Sequence, residues 1–289
     1  MTTMDFKDCI MIKTIAEEKN ITKAADRLYT AQPSLTYRLK NIEKDLGTEI
    51  FLRNHSGVVP TPEGECLLAY AEETIHRFNQ VKAHIQNMSN TVKGTLRLGS
   101  SAVIAHYELP KLLKEYLEVY PEVDISLKTG LSQKIIRMLQ KGELSVAIIR
   151  GDFTWTEEKH LLRDESVCLV SAQPLEFSKL PDYPRIVAQT DGPLQTMFEE
   201  WWRERYKVSP KVTMELDSME TCRQMVIQGL GWAILPSIGM SHHDNLYIQP
   251  LYWKNGQPLT RPTWLLYSTE SIKLSAVRTF VEYMKENFK

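Results

Sequence analysis

A run of hydrogen-bonding side chains along residues 32–40 has chemistry that suits nucleic acid. The outward positions of this stretch are polar, and no acidic residue precedes Glu43: Gln32, Ser34, Thr36, Tyr37, Arg38 and Lys40. Side chains of these types can form hydrogen bonds with base edges and phosphates. On spacing alone, an ordinary helical hairpin with a polar outer face explains the same pattern, so both interpretations stay open at this point.

A second group of polar residues lies at the ends of strands predicted later in the chain: Ser100, Ser101, Thr129, Arg150 and, just before another strand, Arg261. In open α/β sheets, ligands bind beyond the C-terminal ends of strands, where the N–H groups of helix starts favour an anion. A guanidinium can hold a carboxylate through two hydrogen bonds. This group predicts a site for a small organic anion with more than one carboxylate, although each arginine could instead form a surface ion pair.

Two short helices joined by a tight turn are predicted to position the first group. Asn20 is a favourable N-cap for the first helix, and Pro33 falls in the first turn of the second, where its missing N–H costs little. The second helix carries apolar residues at intervals of four, three and four: Leu35, Leu39, Ile42 and Leu46. These predict a buried face, which leaves the polar face free to enter a major groove.

The motifs of this region resemble those of the LysR-type transcriptional regulators. They read AADRL, YTA and QPSLTYRLKNIEKDLG, followed by EIFLRN and TPEG, and they cover the first 64 residues. Thr36 stands where the family usually has serine, and it keeps the hydroxyl. The resemblance implies a winged helix-turn-helix that binds double-stranded DNA at a promoter site with dyad symmetry. The expected contact residues of the helix are Gln32, Pro33, Ser34, Thr36, Tyr37, Arg38 and Lys40.

Residues 50–60 predict the short hairpin of a winged helix, because apolar and polar residues alternate around a Ser-Gly turn. Arg53 lies at the start of this wing. It is a candidate contact to a phosphate or to the minor groove. The alternative is a solvated arginine in a turn.

A long helix is predicted from Pro62 to about Asn90. Its apolar positions are spaced alternately by four and three residues: Leu67, Ala71, Thr74, Phe78, Val81, Ile85 and Met88. This seam is typical of a coiled coil with a second copy of the chain, which predicts a homodimer or homotetramer that presents two DNA-reading helices. The alternative is a seam covered by the C-terminal part of the same chain.

From Thr95 onward, strands alternate with helices, which predicts mostly parallel sheets with helices on both faces. The region is similar to the two-lobed effector domain of the same family, itself similar to periplasmic binding proteins. We expect lobe I at 94–162 and 266–289 and lobe II at 163–265, with a break near His160–Asp164. The fold class is therefore α/β multidomain: winged helix-turn-helix (1–61), linker helix (62–93) and effector domain (94–289).

The resemblance also suggests a ligand for the effector domain. The two arginines and the segment TCRQMVIQGLGWAILP resemble the citrate-responsive branch of the family. We therefore expect citrate or a similar carboxylate to bind between the lobes and to control DNA binding. Activation and repression are not distinguished by these residues.

The composition is that of an ordinary cytoplasmic protein. The 289 residues are 43% hydrophobic and carry a net charge of −1. The net charge therefore gives no sign of nucleic-acid binding. We find no apolar run long enough for a membrane helix, no signal peptide and no paired cysteines.

The rival function classes are an enzyme on a doubly wound scaffold and an exported solute-binding protein. No catalytic motif supports an enzyme, and the first 90 residues oppose a solute-binding protein. We expect no cofactor and no metal, since the adjacent His242, His243 and Asp244 lack a second ligand cluster.

Overall fold

The computed structural model describes residues 4–54, 57–86, 91–238, 240 and 245–288. Contacts divide the chain into two compact units, residues 1–86 and residues 87–289. No helix in the described ranges combines the length and the apolar character needed to cross a bilayer. The four cysteines are free thiols: Cys9, Cys168 and Cys222 are buried, whereas Cys66 is exposed.

The described residues of the first unit form four helices and one hairpin. Their bounds are α1 (Phe6–Glu18), α2 (Ile21–Arg27), α3 (Gln32–Leu46), β1 (Phe51–Asn54), β2 (Gly57–Pro60) and α4 (Pro62–Gln86). The side chains of Leu35, Leu39 and Ile42 are buried in the common core, as their spacing predicts. The prediction for Leu46 is wrong: it is 52% exposed, because α3 ends there and Gly47 turns the chain away with a φ of 71°.

Local signals in the sequence set the starts of these helices. Asp5 and Asp8 form a reciprocal capping box at the start of α1. The side chain of Asn20 accepts hydrogen bonds from the N–H groups of Thr22 and Lys23 at 2.9 and 3.1 Å, which fixes the start of α2.

The predicted seam of α4 is divided between two environments. Ala71 is buried and Leu67 packs against the core of the first unit, so the N-terminal half of the seam is covered by its own chain. Phe78 and Val81 are 52% and 58% exposed. Met88 lies outside the described residues. Only the C-terminal part of the seam, with Phe78 and Val81, is therefore exposed for contact with a second copy of the chain.

The second unit is built on one large sheet and one small sheet. Its strands are β3 (Gly94–Ser101), β4 (Val123–Gly130), β5 (Val146–Arg150), β6 (Glu158–Ser171), β7 (Arg185–Ala188), β8 (Val212–Leu216), β9 (Ala233–Pro236), β10 (Tyr247–Pro250) and β11 (Thr260–Tyr267). Its α-helices are α5 (Ala102–Tyr107), α6 (Leu109–Val119), α7 (Ser132–Gln140), α8 (Gly192–Arg205), α9 (Met219–Ile227) and α10 (Ser275–Asn287). Two 3-10 helices cover Phe177–Asp182 and Ser271–Lys273.

The sheets correct the expected strand directions. The large sheet has the order β10-β6-β11-β5-β3-β4, with β9 also paired to β6. Only β3–β4, β3–β5 and β7–β8 are parallel among the described strands, so the prediction of mostly parallel sheets is wrong. The lobe boundary predicted near His160–Asp164 lies inside β6, which pairs antiparallel with β11 through these residues, with a register shift between Thr263 and Trp264.

Separate hydrophobic cores form on the two parts of this unit. In the first, Phe280 and Val277 of α10 pack with Leu96 and Leu98 of β3, so the last helix returns to the first strand of the unit. In the second, tryptophans of α8 pack with Trp232 beside β9. β6 and β11 pair in the large sheet, and each contains residues of both predicted lobes.

Candidate functional site

The outward side of α3 presents most of the predicted DNA-contact residues. Pro33, Ser34, Tyr37 and Lys40 are exposed, whereas Gln32 and Thr36 are partly buried. Gln32 Nε2 donates a hydrogen bond of 2.9 Å to Thr36 Oγ1, which orders the amide. The first turns of α3 thus combine hydroxyl, phenol and ammonium groups on one side, as direct readout of a major groove requires.

Arg38, a predicted DNA contact, has an acidic partner inside the unit. Its Nε donates to Oδ1 of Asp8 at 2.6 Å, and its Nη2 donates to Oδ2 at 2.5 Å. Burial by itself raises the pKa of Asp8, but the hydrogen bonds from Arg38 and from the Asp5 N–H, with the charge of Arg38, lower this pKa overall. The two-pronged contact ties α3 to α1, so Arg38 positions the helix.

We predict that Asp8→Asn lowers the free energy of unfolding of the first unit by about 2 kcal/mol at neutral pH, the scale of hydrogen bonds to a charged group. The folded state lowers the pKa of Asp8. The stabilisation is therefore present above the unfolded pKa, about 3.9, and is lost as the pH falls through the folded value. Hydrogen exchange of the α1 and α3 amides in the full chain measures this loss. Asp26→Asn, at an exposed position of α2, is the control, and equal losses in both variants would contradict the prediction.

Tyr29 is a surface residue that the sequence did not single out. It lies in the turn between α2 and α3 with a φ of 53°, and its side chain is 98% exposed. Left-handed backbone is uncommon for residues other than glycine. This conformation leaves the phenol of Tyr29 exposed in the turn that precedes α3. The sequence marks Tyr29 only as the end of a helical pattern, and its exposure depends on the turn.

The wing is held against the end of α1. β1 and β2 pair antiparallel, with Arg53 opposite Val58, and residues 55–56 at the predicted tip lie outside the described residues. The Val58 N–H donates a 2.8 Å hydrogen bond to the Lys19 carbonyl oxygen. A Cβ atom at Gly57, which has a φ of 118°, would overlap that same carbonyl. Glycine therefore allows the hairpin to approach α1 closely.

The second predicted site is a buried group of two arginines and two acids, named here the four-charge cluster: Arg150, Glu165, Asp191 and Arg261. Arg150 and Glu165 are 2% and 5% exposed, and Arg261 and Asp191 are 7% and 6% exposed. Arg150 Nε donates to Glu165 Oε1 at 3.1 Å, and Arg261 Nη2 donates to Asp191 Oδ2 at 2.6 Å. By the predicted boundaries, Arg150 comes from lobe I and the other three residues from lobe II.

The internal acids correct the expected charge of this site. Each arginine was predicted either to bind a carboxylate of the ligand or to form a surface ion pair, and both form ion pairs that are buried. Burial, with the nearby charge of Arg150, lowers the pKa of Arg261 to about 10, so Arg261 stays charged at neutral pH. The cluster holds two positive and two negative groups, and it does not offer the two uncompensated positive charges that the sequence suggested.

Two hydroxyl residues lie near the cluster in sheet register: Ser100, which was predicted and pairs with Ile148 of β5, and Thr263, which the sequence did not single out. Thr263 of β11 lies opposite Arg150 of β5 and is fully buried. Ser100 donates its hydroxyl to the Ser101 carbonyl oxygen at 3.1 Å. Ser100 pairs with Thr129 across β3 and β4, and Thr129 is exposed.

Comparison with protein-family models decides the identity. The model described as "LysR substrate binding domain" matches residues 89–289, and "Bacterial regulatory helix-turn-helix protein, lysR family" matches residues 6–65. The chain belongs to the LysR family of transcriptional regulators. It is therefore a DNA-binding regulator with an effector-binding domain, as the motifs of the first 64 residues implied.

Individual relatives of this LysR-type regulator agree. It is 42% identical over 282 residues to the uncharacterized HTH-type transcriptional regulator YraN of Bacillus subtilis (strain 168), with 98% of each chain covered. A full-length variant of OxyR from Pseudomonas aeruginosa gives a TM-score of 0.66 at 23% identity, over 99% of this chain and 96% of that one. Full-length CbnR complexed with its target DNA gives 0.65 at 17% identity, over 98% and 99%. The fold class is confirmed, and the relatives are named regulators rather than enzymes.

The LysR-type regulator also has a polar contact between its predicted lobes that the sequence did not reveal. The Tyr107 hydroxyl donates a hydrogen bond to the Glu220 carboxylate. Arg223 Nη2 donates to Glu220 at 2.8 Å, and hydrogen bonds led by that of Arg223 lower the pKa of Glu220 to about 2. The carboxylate is therefore charged at neutral pH. Nothing in the local sequence pairs Tyr107 with Glu220, which is 113 residues away.

Metal binding has no support among the residues that the structure describes. Within these ranges, no group of three or more His, Cys, Asp or Glu side chains is placed to hold an ion. His242, His243 and Asp244 lie outside them.

Proposed function

We propose that a small organic carboxylate binds at the four-charge cluster between the predicted lobes and alters DNA binding by the LysR-type regulator. The observation that carries this proposal is a set of buried polar atoms without hydrogen bonds to described residues: Ser101 Oγ, Arg150 Nη2, Arg261 Nε and Thr263 Oγ1. Arg150 Nη2 lies 2.6 Å from Glu165 Oε1 but without hydrogen-bond geometry. Buried polar atoms in native proteins are nearly all hydrogen-bonded, so the other three atoms, Ser101 Oγ, Arg261 Nε and Thr263 Oγ1, favour a polar ligand.

The charges of the cluster limit the negative charge that a ligand can carry. Glu165 and Asp191 already balance the two arginines, so a ligand with three negative charges would meet two internal carboxylates as well. Citrate remains the specific candidate from the sequence. Smaller carboxylates are favoured by this charge count, since one carboxylate can accept from Arg261 Nε and from the two hydroxyls.

We infer that DNA binding uses two copies of the chain. The exposed Phe78 and Val81 of α4 supply apolar surface for a second copy, and two α3 helices can then meet two half-sites of a site with dyad symmetry. A ligand shifts the equilibrium only if it prefers one arrangement of the lobes. The Tyr107–Glu220 contact crosses between the predicted lobes, so its breaking or forming is a part of such a rearrangement.

Calorimetry of the full-length protein with citrate, succinate and lactate tests the effector proposal. We expect saturable binding of at least one compound, and we expect Thr263→Val to weaken it about tenfold, because one hydrogen bond contributes about 1.4 kcal/mol. Thr263→Val keeps the size and shape of the side chain, whereas Thr196→Val, at an exposed position of α8, is the matched control. Absence of binding by all three compounds, or equal affinity in both variants, would overturn the proposal.

A further inference from the structure

Arg185, at the start of β7, is a buried cation without an acidic partner among the described residues. It is 8% exposed, and its Nε atom forms no hydrogen bond with them. Its Cζ atom lies 5.7 Å from the centroid of the Trp202 ring and 5.3 Å from that of Trp232. Burial lowers the pKa of Arg185 to about 10, so it stays charged at neutral pH. Aromatic faces stabilise a cation in part, but they leave its N–H donors unpaired.

The tryptophans that flank Arg185 are fixed by bonds of their own. Trp202 Nε1 donates to the Val208 carbonyl oxygen at 2.8 Å, and Trp232 Nε1 donates to the Tyr183 carbonyl oxygen at 3.2 Å. The two rings are nearly parallel, at 16°, with centroids 5.8 Å apart. The guanidinium is therefore held by a rigid aromatic framework, and its position does not depend on an internal anion.

Arg185 lines a cavity of about 590 Å³ between the β7–β8 sheet and α8. The volume is within the range of small-molecule sites. Phe198 and Leu216 contribute to its apolar lining, and its acidic lining is Glu199, Glu215 and Asp217. None of the four residues of the four-charge cluster lines this cavity, although Thr190, which does line it, directly precedes Asp191.

The acids of the cavity differ in their partners. Glu199 accepts hydrogen bonds from Arg203 Nη2 at 2.9 Å and from Gln195 Nε2 at 3.0 Å. Glu215 and Asp217 are exposed and have no ion pair with a described residue. In the β7–β8 register, Glu215 pairs with Val187. Val187 is two positions along β7 from Arg185, so the Cα atoms of Val187 and Arg185 are about 7 Å apart. The uncompensated groups are thus one cation and two carboxylates.

We propose that this cavity binds a basic amino acid, with its carboxylate on Arg185 and its two cationic groups on Glu215 and Asp217. One negative and two positive groups in the ligand complement one positive and two negative groups in the protein. The carboxylate supplies the missing acceptor for the buried guanidinium, whose bonds gain strength from burial. The proposal does not depend on which ligand the four-charge cluster binds.

Calorimetry of the full-length protein with L-lysine tests this assignment. L-norleucine lacks the side-chain amine, and cadaverine lacks the carboxylate. We expect lysine to bind saturably with a dissociation constant of about 1 mM or below. We expect each analogue to bind at least about tenfold more weakly, because each leaves one charged group unpaired. Absence of lysine binding, or equal binding by norleucine, would overturn the proposal.

Two sets of variants locate the bound amino acid. Arg185→Met keeps an apolar chain between the tryptophans, and we expect it to weaken lysine binding at least about tenfold. The exposed pair Glu215→Gln and Asp217→Asn should weaken lysine similarly and should weaken norleucine less, because norleucine has only the α-ammonium group to lose a partner. Glu200→Gln, at an exposed position of α8 outside the cavity, is the control and should bind lysine normally. If Arg185→Met does not fold, the exposed pair decides, and unchanged lysine affinity in that pair overturns the assignment.

Discussion

Glutamine in place of Glu165 is expected to lower the free energy of unfolding by about 3–5 kcal/mol, the usual cost of leaving one member of a buried ion pair without its partner. Glu165 Oε1 lies 2.6 Å from Arg150 Nη2, and Oε2 accepts from the Ile238 N–H at 2.9 Å. Arg150 is only 2% exposed, so water cannot replace the lost carboxylate. Glutamine keeps one acceptor oxygen, so it can preserve the contact with the Ile238 N–H or the contact with Arg150, and its amide NH2 group then faces a donor at the other.

Urea unfolding of the full chain measures this loss, and a second variant separates charge from packing. Arg150→Met combined with Glu165→Leu should recover most of the stability lost in Glu165→Gln, because an apolar pair of similar size has no buried charge to compensate. Glu158→Gln, at an exposed position of the same strand, is the control. A loss in Glu165→Gln no larger than in Glu158→Gln would contradict the account of the cluster.

The helices α2 and α3 were predictable because the sequence signals that define them are local. Asn20 caps α2, and Leu35, Leu39 and Ile42 repeat with the helical period, so sequence spacing alone places one face of α3 inward. The partners of the predicted polar residues were not predictable in the same way. Arg38 is joined to a residue 30 positions away, and Arg261 to one 70 positions away. Spacing along the chain carries no information about such contacts.

Strand pairing in the large sheet was not predictable for a related reason. The lobe boundary expected near His160–Asp164 lies inside β6, where pairing with β11 keeps the chain extended. Strand direction was also hidden, since an alternation of strands and helices predicts parallel pairs only where a helix connects adjacent strands. β5 and β6 are both paired with β11, which comes about 100 residues later along the chain, and both pairs are antiparallel. Tertiary pairing therefore decides what local patterns cannot.

Alanine at both Gln32 and Tyr37 is expected to lower the affinity of the protein for its specific DNA site by about 100-fold, since each lost base contact costs about 1–3 kcal/mol. Tyr37 is 70% exposed on α3, and Gln32 is ordered by its bond to Thr36. Affinity for unrelated DNA should change little, because that affinity depends on cationic contacts to phosphates. A binding selection on random duplexes, followed by anisotropy titrations at two salt concentrations, measures both quantities.

The salt dependence of DNA affinity distinguishes base contacts from phosphate contacts. Loss of base contacts reduces specificity but keeps the slope of log affinity against log salt, whereas loss of a phosphate contact reduces the slope by about one. Lys40→Ala should therefore flatten the slope and preserve the preferred sequence, opposite to the double substitution. Tyr252→Ala, at a half-exposed tyrosine of the second unit, is the matched control for removing a phenol. An unchanged sequence preference after the double substitution would mean that α3 does not enter the groove by this face, and the DNA contacts would then have to come from other residues of the first unit.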